Sequence, residues 1–398
     1  MFDLLKGTRI IDLTTIVLGP YATQMLADLG ADVIKVESPA GDAFRAVRPA
    51  RRDDLGVGFL AYNRNKRSVV LDLKQPRARE VLKKMVAESD VLVHNMRSRS
   101  AAGLGLGYDE LSKINPGLVY CYSPGFGELG PDRDAPAYDD IIQSRSGLAA
   151  LNADPSGAPQ YVRTIACDKT VGLHLALAVA SGLVKRATTG EGVCIETPML
   201  ESMVSFLLSE HLAGHTLVPP EGELGYDRMM SPNRKPYRTQ DGYLTILPYT
   251  TRHWVRFFQI CGLDDWATAD KVIDAGLRSD HIDELYGKVA ELAAGRTTAD
   301  WMSVLADKDI PCARVNSLDD LFTDSHLVAA GMFTEVEDER IGTLRQLRSP
   351  FQVNGELAPD AGADQHPPGL GEHTSAVLES FGYTTDEISE MRGEGMLG

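Results

Sequence analysis

Two places in the 398-residue sequence hold the residue types that chemistry needs. The first is Asp168, in the run Arg163-Thr164-Ile165-Ala166-Cys167-Asp168-Lys169-Thr170, just before the most apolar helical pattern, residues 170–185. An aspartate there can cap the backbone N–H groups of a helix. A carboxylate at a helix start on the edge of a sheet can also act as a nucleophile. Position alone leaves both roles open, and the two are compatible. Cys167 beside it reads as a small core hydrophobe. The second place is residues 45–67, where Arg45, Arg48, Arg51, Arg52, Arg64, Lys66 and Arg67 stand against only Asp53 and Asp54. Guanidinium forks match phosphate oxygens. The run therefore reads as a site for a polyphosphorylated small molecule (a nucleotide, coenzyme A or a sugar phosphate) or as a solvated loop paired with acidic surface.

Other reactive patterns are missing from the sequence. No GxGxxG follows the first strand and no GxxxxGK[ST] occurs, which disfavours dinucleotide-dependent dehydrogenases and P-loop enzymes. No GxSxG elbow is present. His174, His211 and His215 lack metal-ligand context, and no metal is expected. Cys121, Cys167, Cys194, Cys261 and Cys312 are odd in number and far apart, which predicts free thiols in a reducing setting. Lys plus Arg is 40 against 56 Asp plus Glu, a net charge of −16. Such a chain is a poor nucleic-acid binder. The N-terminus lacks signal-peptide order. The most apolar stretch, residues 171–184, contains His174 and reads as too short to span a bilayer. A cytoplasmic protein with no nucleic-acid or membrane partner is expected.

The elements that must position these residues alternate strand and helix. Strands are expected at residues 9–13, 31–37, 68–73, 90–94, 118–122 and 193–196, with helices from Pro20, over 76–89 and over 170–185. Short strands separated by helices predict right-handed crossovers and a mainly parallel sheet, an α/β fold. A Gly/Pro-rich passage at 216–236 marks a boundary. Beyond it a strand at 242–247 and helices at 254–258, 282–293 and 298–307 predict a smaller domain. Strand texture returns around 333–336 and 344–350. A Pro/Gly-rich stretch at 357–371, long for a connector, is expected to wrap over the surface or a partner, before a terminal helix near 372–379. The resulting division is 1–223, 224–324 and 325–398.

The words LGPYATQMLADLGADVIKVESPAGD, NRNKRSVVLDLKQPRAREVL, SDVLVHN, GLVYCYSPGFGELGP, AYDDIIQSRSGL and ACDKTVGLHLALAVASGLVKRATTGEG, with PYRTQDGYLTI and DSHLVAAG, resemble the class III coenzyme A transferases and the related 2-methylacyl-CoA racemases. The resemblance covers nearly the whole chain. It implies an interlocked homodimer, with a Rossmann-like large domain built from both chain ends and a smaller α/β domain between them. It places CoA against the large domain, with Arg45, Asn65, Lys66, Arg67, Lys74, Asn95 and Arg97 as the binding positions. The family nucleophile maps onto Asp168, and Tyr138 and Asp139 would line the thioester end. The activity implied moves CoA from an acyl-CoA to a free carboxylic acid acceptor, through an aspartyl anhydride and an aspartyl-CoA thioester. No tightly bound cofactor is implied; the CoA thioester is the substrate. A dry pocket and oxyanion-stabilising N–H groups are required, for which Gly125, Gly127 and Gly147 are candidates.

The sequence departs from the family in places. Val17 stands where formyl-CoA transferase has a Gln, which disfavours a small oxalate-type substrate. Gly103 stands where an Arg is usual, with Arg97 and Arg99 as candidate replacements. Met229 and Met230 occupy roughly the region of that enzyme's glycine-rich lid, where they would suit a larger or more apolar acyl group. Two readings compete with transfer. A racemase would need a His in the triplet filled here by Ala137-Tyr138-Asp139, and Tyr, with a reference pKa of ~10, is a poor substitute. A non-catalytic CoA-binding protein would not need Asp168.

Overall fold

The computed structural model describes residues 1–358 and 366–397. Of the expected wrapping stretch at 357–371, residues 359–365 thus lie outside the described residues. Six parallel strands form the main sheet: β1 Arg9–Asp12, β2 Asp32–Glu37, β3 Lys66–Val70, β4 Val91–His94, β5 Val119–Tyr122 and β6 Val193–Glu196. Their order is β3-β2-β1-β4-β5-β6, which places a topological switch point between β1 and β4. Strand alternation sends neighbouring residues to opposite faces. Ile10, Val33, Val91, Val93, Val119 and Cys121 pack on one face, with Ile11, Ile34, Leu92 and Tyr120 on the other.

The first face is covered by α1 (Leu18–Asp28) and by a later 24-residue helix, Ala166–Thr189. The second face is covered by α2 (Pro76–Ala87) and by the C-terminal helices Thr374–Ser380 and Thr385–Gly393, through Val377, Leu378, Phe381, Ile388 and Met391. Both chain ends therefore build this unit. The C-terminal strands stay out of the main sheet: Phe333–Asp338 pairs antiparallel with Gly342–Leu347 as a separate hairpin.

Two readings are corrected. Strand β3 begins at Lys66, not at 68, because a buried ion pair of the Lys66 ammonium draws this charged end into the sheet. The apolar segment expected to be too short for a membrane is part of a helix long and apolar enough, by length and composition, to cross one. Val171, Leu175, Ala178 and Val179 of that helix pack into the core beside α1 and the sheet.

The chain forms two compact units, Met1–Leu207 with Ala330–Gly398, and Leu208–Ala329. The divisions thus fall at 207/208 and 329/330, where the sequence reading put them after 223 and 324. The first lies inside the helix Met199–His211. Within the second unit a three-stranded antiparallel sheet carries helices Thr251–Ile260, Ile282–Ala293 and Thr298–Ala306 around Trp254, Phe257, Phe258, Tyr286 and Trp301. Thr250 and His253 close a capping box at the first of these helices.

Candidate active site

Asp168 lines a cavity of about 220 Å³ at the carboxyl edge of the sheet. Its walls come from the segments after β1 (Thr15, Ile16), after β4 (Asn95, Arg97) and after β5 (Ser123, Pro124, Gly125), with Tyr138 alongside. This is the switch-point crevice where open α/β sheets bind ligands. Of the candidate glycines only Gly125 lines it, and close packing explains that residue: an added Cβ would lie 2.1 Å from that of Ala137. Asp168 is the one carboxylate among the lining residues and Arg97 the one cation. A larger apolar cavity of about 480 Å³ lies between residues 49–64 and the hairpin at 341–347. Another of about 820 Å³, lined mostly by charged residues, lies at the opposite, amino-terminal edge of the sheet.

The capping expectation for Asp168 is corrected. Helix α4 (Ala166–Thr189), which follows α3 (Asp139–Arg145), starts at Ala166 with Ile165 as its N-cap, so Asp168 is its third residue. The roles are reversed: the backbone N–H of Asp168 donates to Asp139 Oδ1 at 3.0 Å. Asp139 Oδ2 accepts from Gln143 Nε2 at 2.7 Å, and Gln143 Oε1 accepts from the Val162 N–H at 2.9 Å. Removal from water, and secondarily the negative charge of Asp139, push the Asp168 carboxyl up to about 7. Tyr62 is a neighbour the sequence reading missed. Burial raises its hydroxyl, and the charge of Asp168 adds to the effect. Tyr138 is 65% exposed at the cavity rim.

The basic run is largely taken up inside the protein. Arg45 is buried; its guanidinium donates to both oxygens of Glu37 (2.8 and 2.6 Å) and to the Asp54 and Pro368 carbonyls, over the face of Phe59. Lys66 Nζ donates to Asp12 Oδ2 (3.2 Å), the Pro20 carbonyl and Asn63 Oδ1, with no exposed side-chain surface. All three N–H donors of Lys66 and four of the five of Arg45 are thus engaged inside the protein, where the sequence reading had placed both residues against CoA. Arg48 pairs with Asp53, Arg52 with Asp54 and Arg64 with Asp28, and Arg51 donates to the Ile341 carbonyl. Arg67 pairs with Asp32 and Asn65 donates to Asp28 Oδ1; both line the cavity at the amino-terminal edge. The structure does not bring them to Asp168. Lys74 is exposed beyond β3, on the same sheet edge as Asp168 but outside its cavity.

The segment after β1 is held residue by residue. Asp12 Oδ1 accepts from the N–H and Oγ1 of Thr14 at 2.9 and 2.5 Å. Asn95 clasps Thr15 both ways, through its Oδ1 (3.0 Å) and Nδ2 (2.9 Å). The Ile16 N–H donates to Asp42. Gly19 follows because its turn lies against Thr14, 2.2 Å from where a Cβ would sit. Asp12, Lys35, Asp42, Ile16 and Gln143 are residues of this site region that the sequence reading missed. Only Gln143 carried a local signal, its spacing of four from Asp139 on a helix. Among the described residues no group of three or more His, Cys, Asp or Glu could hold a metal ion.

An α/β sheet with a carboxylate at its switch point defines a class broadly, and comparison narrows it. Residues 5–374 match the model of CoA-transferase family III, and the chain belongs to that family. It is 31% identical over 396 residues to the succinyl-CoA:glutarate CoA-transferase of Mus musculus, covering 99% of this chain and 90% of that protein. It is 30% identical to the succinate–glutarate CoA-transferase of Agrobacterium fabrum, covering 94% of each. The crystal structure of Rv3272 from Mycobacterium tuberculosis is similar with a TM-score of 0.80 and 27% identity, over 93% of this chain and 98% of that one.

Proposed function

We propose that this protein exchanges CoA between short dicarboxylic acids, with Asp168 as the covalent nucleophile. The observation that carries the reading is that Asp168, raised toward neutrality, is the one carboxylate lining the switch-point cavity. Its oxygen attacks the donor thioester carbonyl; the C–S bond breaks and CoA leaves as thiolate, which gives a mixed anhydride. The thiolate then attacks the aspartyl carbonyl, releasing the donor acid and leaving an aspartyl-CoA thioester. The acceptor carboxylate runs the two steps in reverse, and no net proton is consumed. A carboxyl raised to about 7 is the stronger nucleophile once ionised.

The dicarboxylate assignment rests on Arg97. It is the only cation among the lining residues and has no ion pair among the described residues, so its fork can receive the distal carboxylate of the acyl group. The names of the two relatives support the same class. Asn95, also in the cavity, and exposed Lys74 on the same sheet edge are the positions we assign to the CoA chain and a phosphate. A two-base α-proton transfer is disfavoured because no histidine lines the cavity. The dimer implied by the resemblance is proposed as well; Leu173, Leu177 and Val184 form an exposed apolar stripe on α4 that a second copy would cover.

Intact-protein mass spectrometry after brief incubation with succinyl-CoA or glutaryl-CoA, followed by peptide mapping, tests the reading. A CoA-derived adduct at Asp168 is expected in the wild type. Asp168→Ala should lose the adduct and all transfer while CoA affinity stays within about threefold. Full turnover in that variant would remove Asp168 from the mechanism.

A further inference from the structure

Ile16 is a β-branched residue at φ 73°, a backbone region such residues rarely enter. It lines the cavity that holds Asp168. Its N–H lies 3.1 Å from each carboxylate oxygen of Asp42. Asp42 is buried and does not line the cavity. Its Oδ2 accepts from Lys35 Nζ at 3.0 Å, a pair with no exposed side-chain surface. Lys35 Nζ also donates to the Thr14 carbonyl at 2.8 Å. Asp42 Oδ1 accepts from the Phe44 N–H at 3.0 Å, and the Asp42 N–H donates to Glu37 Oε1 at 3.0 Å, so Asp42 is itself anchored. An ion pair sealed under the sheet edge thus grips the segment on both sides of Thr15, and the carboxylate compensates an unfavourable backbone conformation.

We infer that Asp42, backed by Lys35, is a positioning residue: it holds Ile16 in the left-handed region and so sets the cavity wall formed by Thr15 and Ile16 beside Asp168. The inference rests on the reading of Asp168 as nucleophile. Loss of the carboxylate lets residue 16 relax to negative φ, which moves that wall against the bound acyl group. A displacement of about 1 Å in such a wall can cost ~100-fold in rate.

The experiment measures the rate of adduct formation at Asp168, kcat, and the KM for succinyl-CoA. Asp42→Ala should slow adduct formation ~100-fold with KM changed by less than about threefold. Asp42→Asn keeps an oxygen for the Ile16 N–H and should stay within about tenfold of wild type. Adding Ile16→Gly to Asp42→Ala should restore at least about tenfold, because glycine takes positive φ without help. A purely structural role for Asp42 gives no such rescue. Should Asp42→Ala fail to fold, Lys35→Met/Asp42→Ala replaces it, since it leaves no buried ammonium unpaired. Adduct formation at the wild-type rate without the carboxylate overturns the inference, as does an Ile16→Gly double variant no faster than its parent. If the wild-type protein forms no adduct at Asp168, the function reading fails first and takes this one with it.

Discussion

Asp168 and Asp139 are two carboxylates joined through one backbone N–H, and their closeness has consequences that can be measured. Attack requires ionised Asp168, so the rate of adduct formation should rise with pH and level off above about 7. Asp139→Asn keeps the oxygen that accepts the Asp168 N–H but removes the neighbouring charge. The midpoint should therefore fall, though not to that of an ordinary aspartate, because burial is the larger cause and persists. An unmoved midpoint would mean that Asp139 acts only as a hydrogen-bond acceptor. The same shift predicts a stability effect. The folded pKa lies above the unfolded value of 3.8, so the fold disfavours the ionised form increasingly from pH 4 to 7. Asp168→Asn should accordingly raise Tm more at pH 8 than at pH 4.5. In the same cavity, Arg97→Ala should raise KM for succinate and glutarate about tenfold or more, while a monocarboxylate acceptor is unaffected. Equal loss for both acceptors would point to a CoA phosphate as the partner of Arg97.

At the scale of elements, the site depends on charges within the sheet. Asp12 ends β1 and Lys66 begins β3, and their ion pair reaches across β2 with both side chains fully buried. Asp12 is held well below the usual carboxylate range by Lys66, Lys35 and two threonine hydroxyls, which outweigh its burial. Lys66→Met leaves that carboxylate without its ammonium and should cost about 3–5 kcal/mol in urea unfolding. If Lys66 instead served a ligand, stability would be unchanged and CoA affinity would fall. These contacts also explain what was legible. The six strands stood out as apolar runs, and Asn95 and Arg97 follow β4, so their place on the carboxyl edge was readable. The internal pairing of Arg45 and Lys66 was not readable, because their partners, Glu37 and Asp12, lie in β2 and β1 and only folding brings them together.

For the whole molecule, the exposed stripe of Leu173, Leu177 and Val184 is the feature that asks for a partner. Residues four and seven apart share a helix face. Light scattering should return twice the 43.3 kDa chain mass for the wild type. Leu173→Glu/Leu177→Glu should shift it toward monomer or insoluble protein; a soluble double variant that remains dimeric would place the interface elsewhere. That both chain ends build the large unit was implied by the family resemblance, and the late sequence showed strand pattern and a terminal helix. The separate C-terminal hairpin was not readable, because strand pattern alone does not say which sheet a strand joins.

The sequence by itself determined the α/β class, the parallel strand set, the family and the nearness of Asp168 to the long helix, since each is written in local periodicity or contiguous words. Only the tertiary structure decided which charges are free. Folding paired Arg45 and Lys66 internally, left Arg97 in the cavity, set Asp139 against Asp168 and anchored Ile16 on Asp42. The physical reason is that a charge's availability, and a carboxyl's pKa, depend on partners and burial supplied by other elements that folding brings together, and no local pattern encodes those.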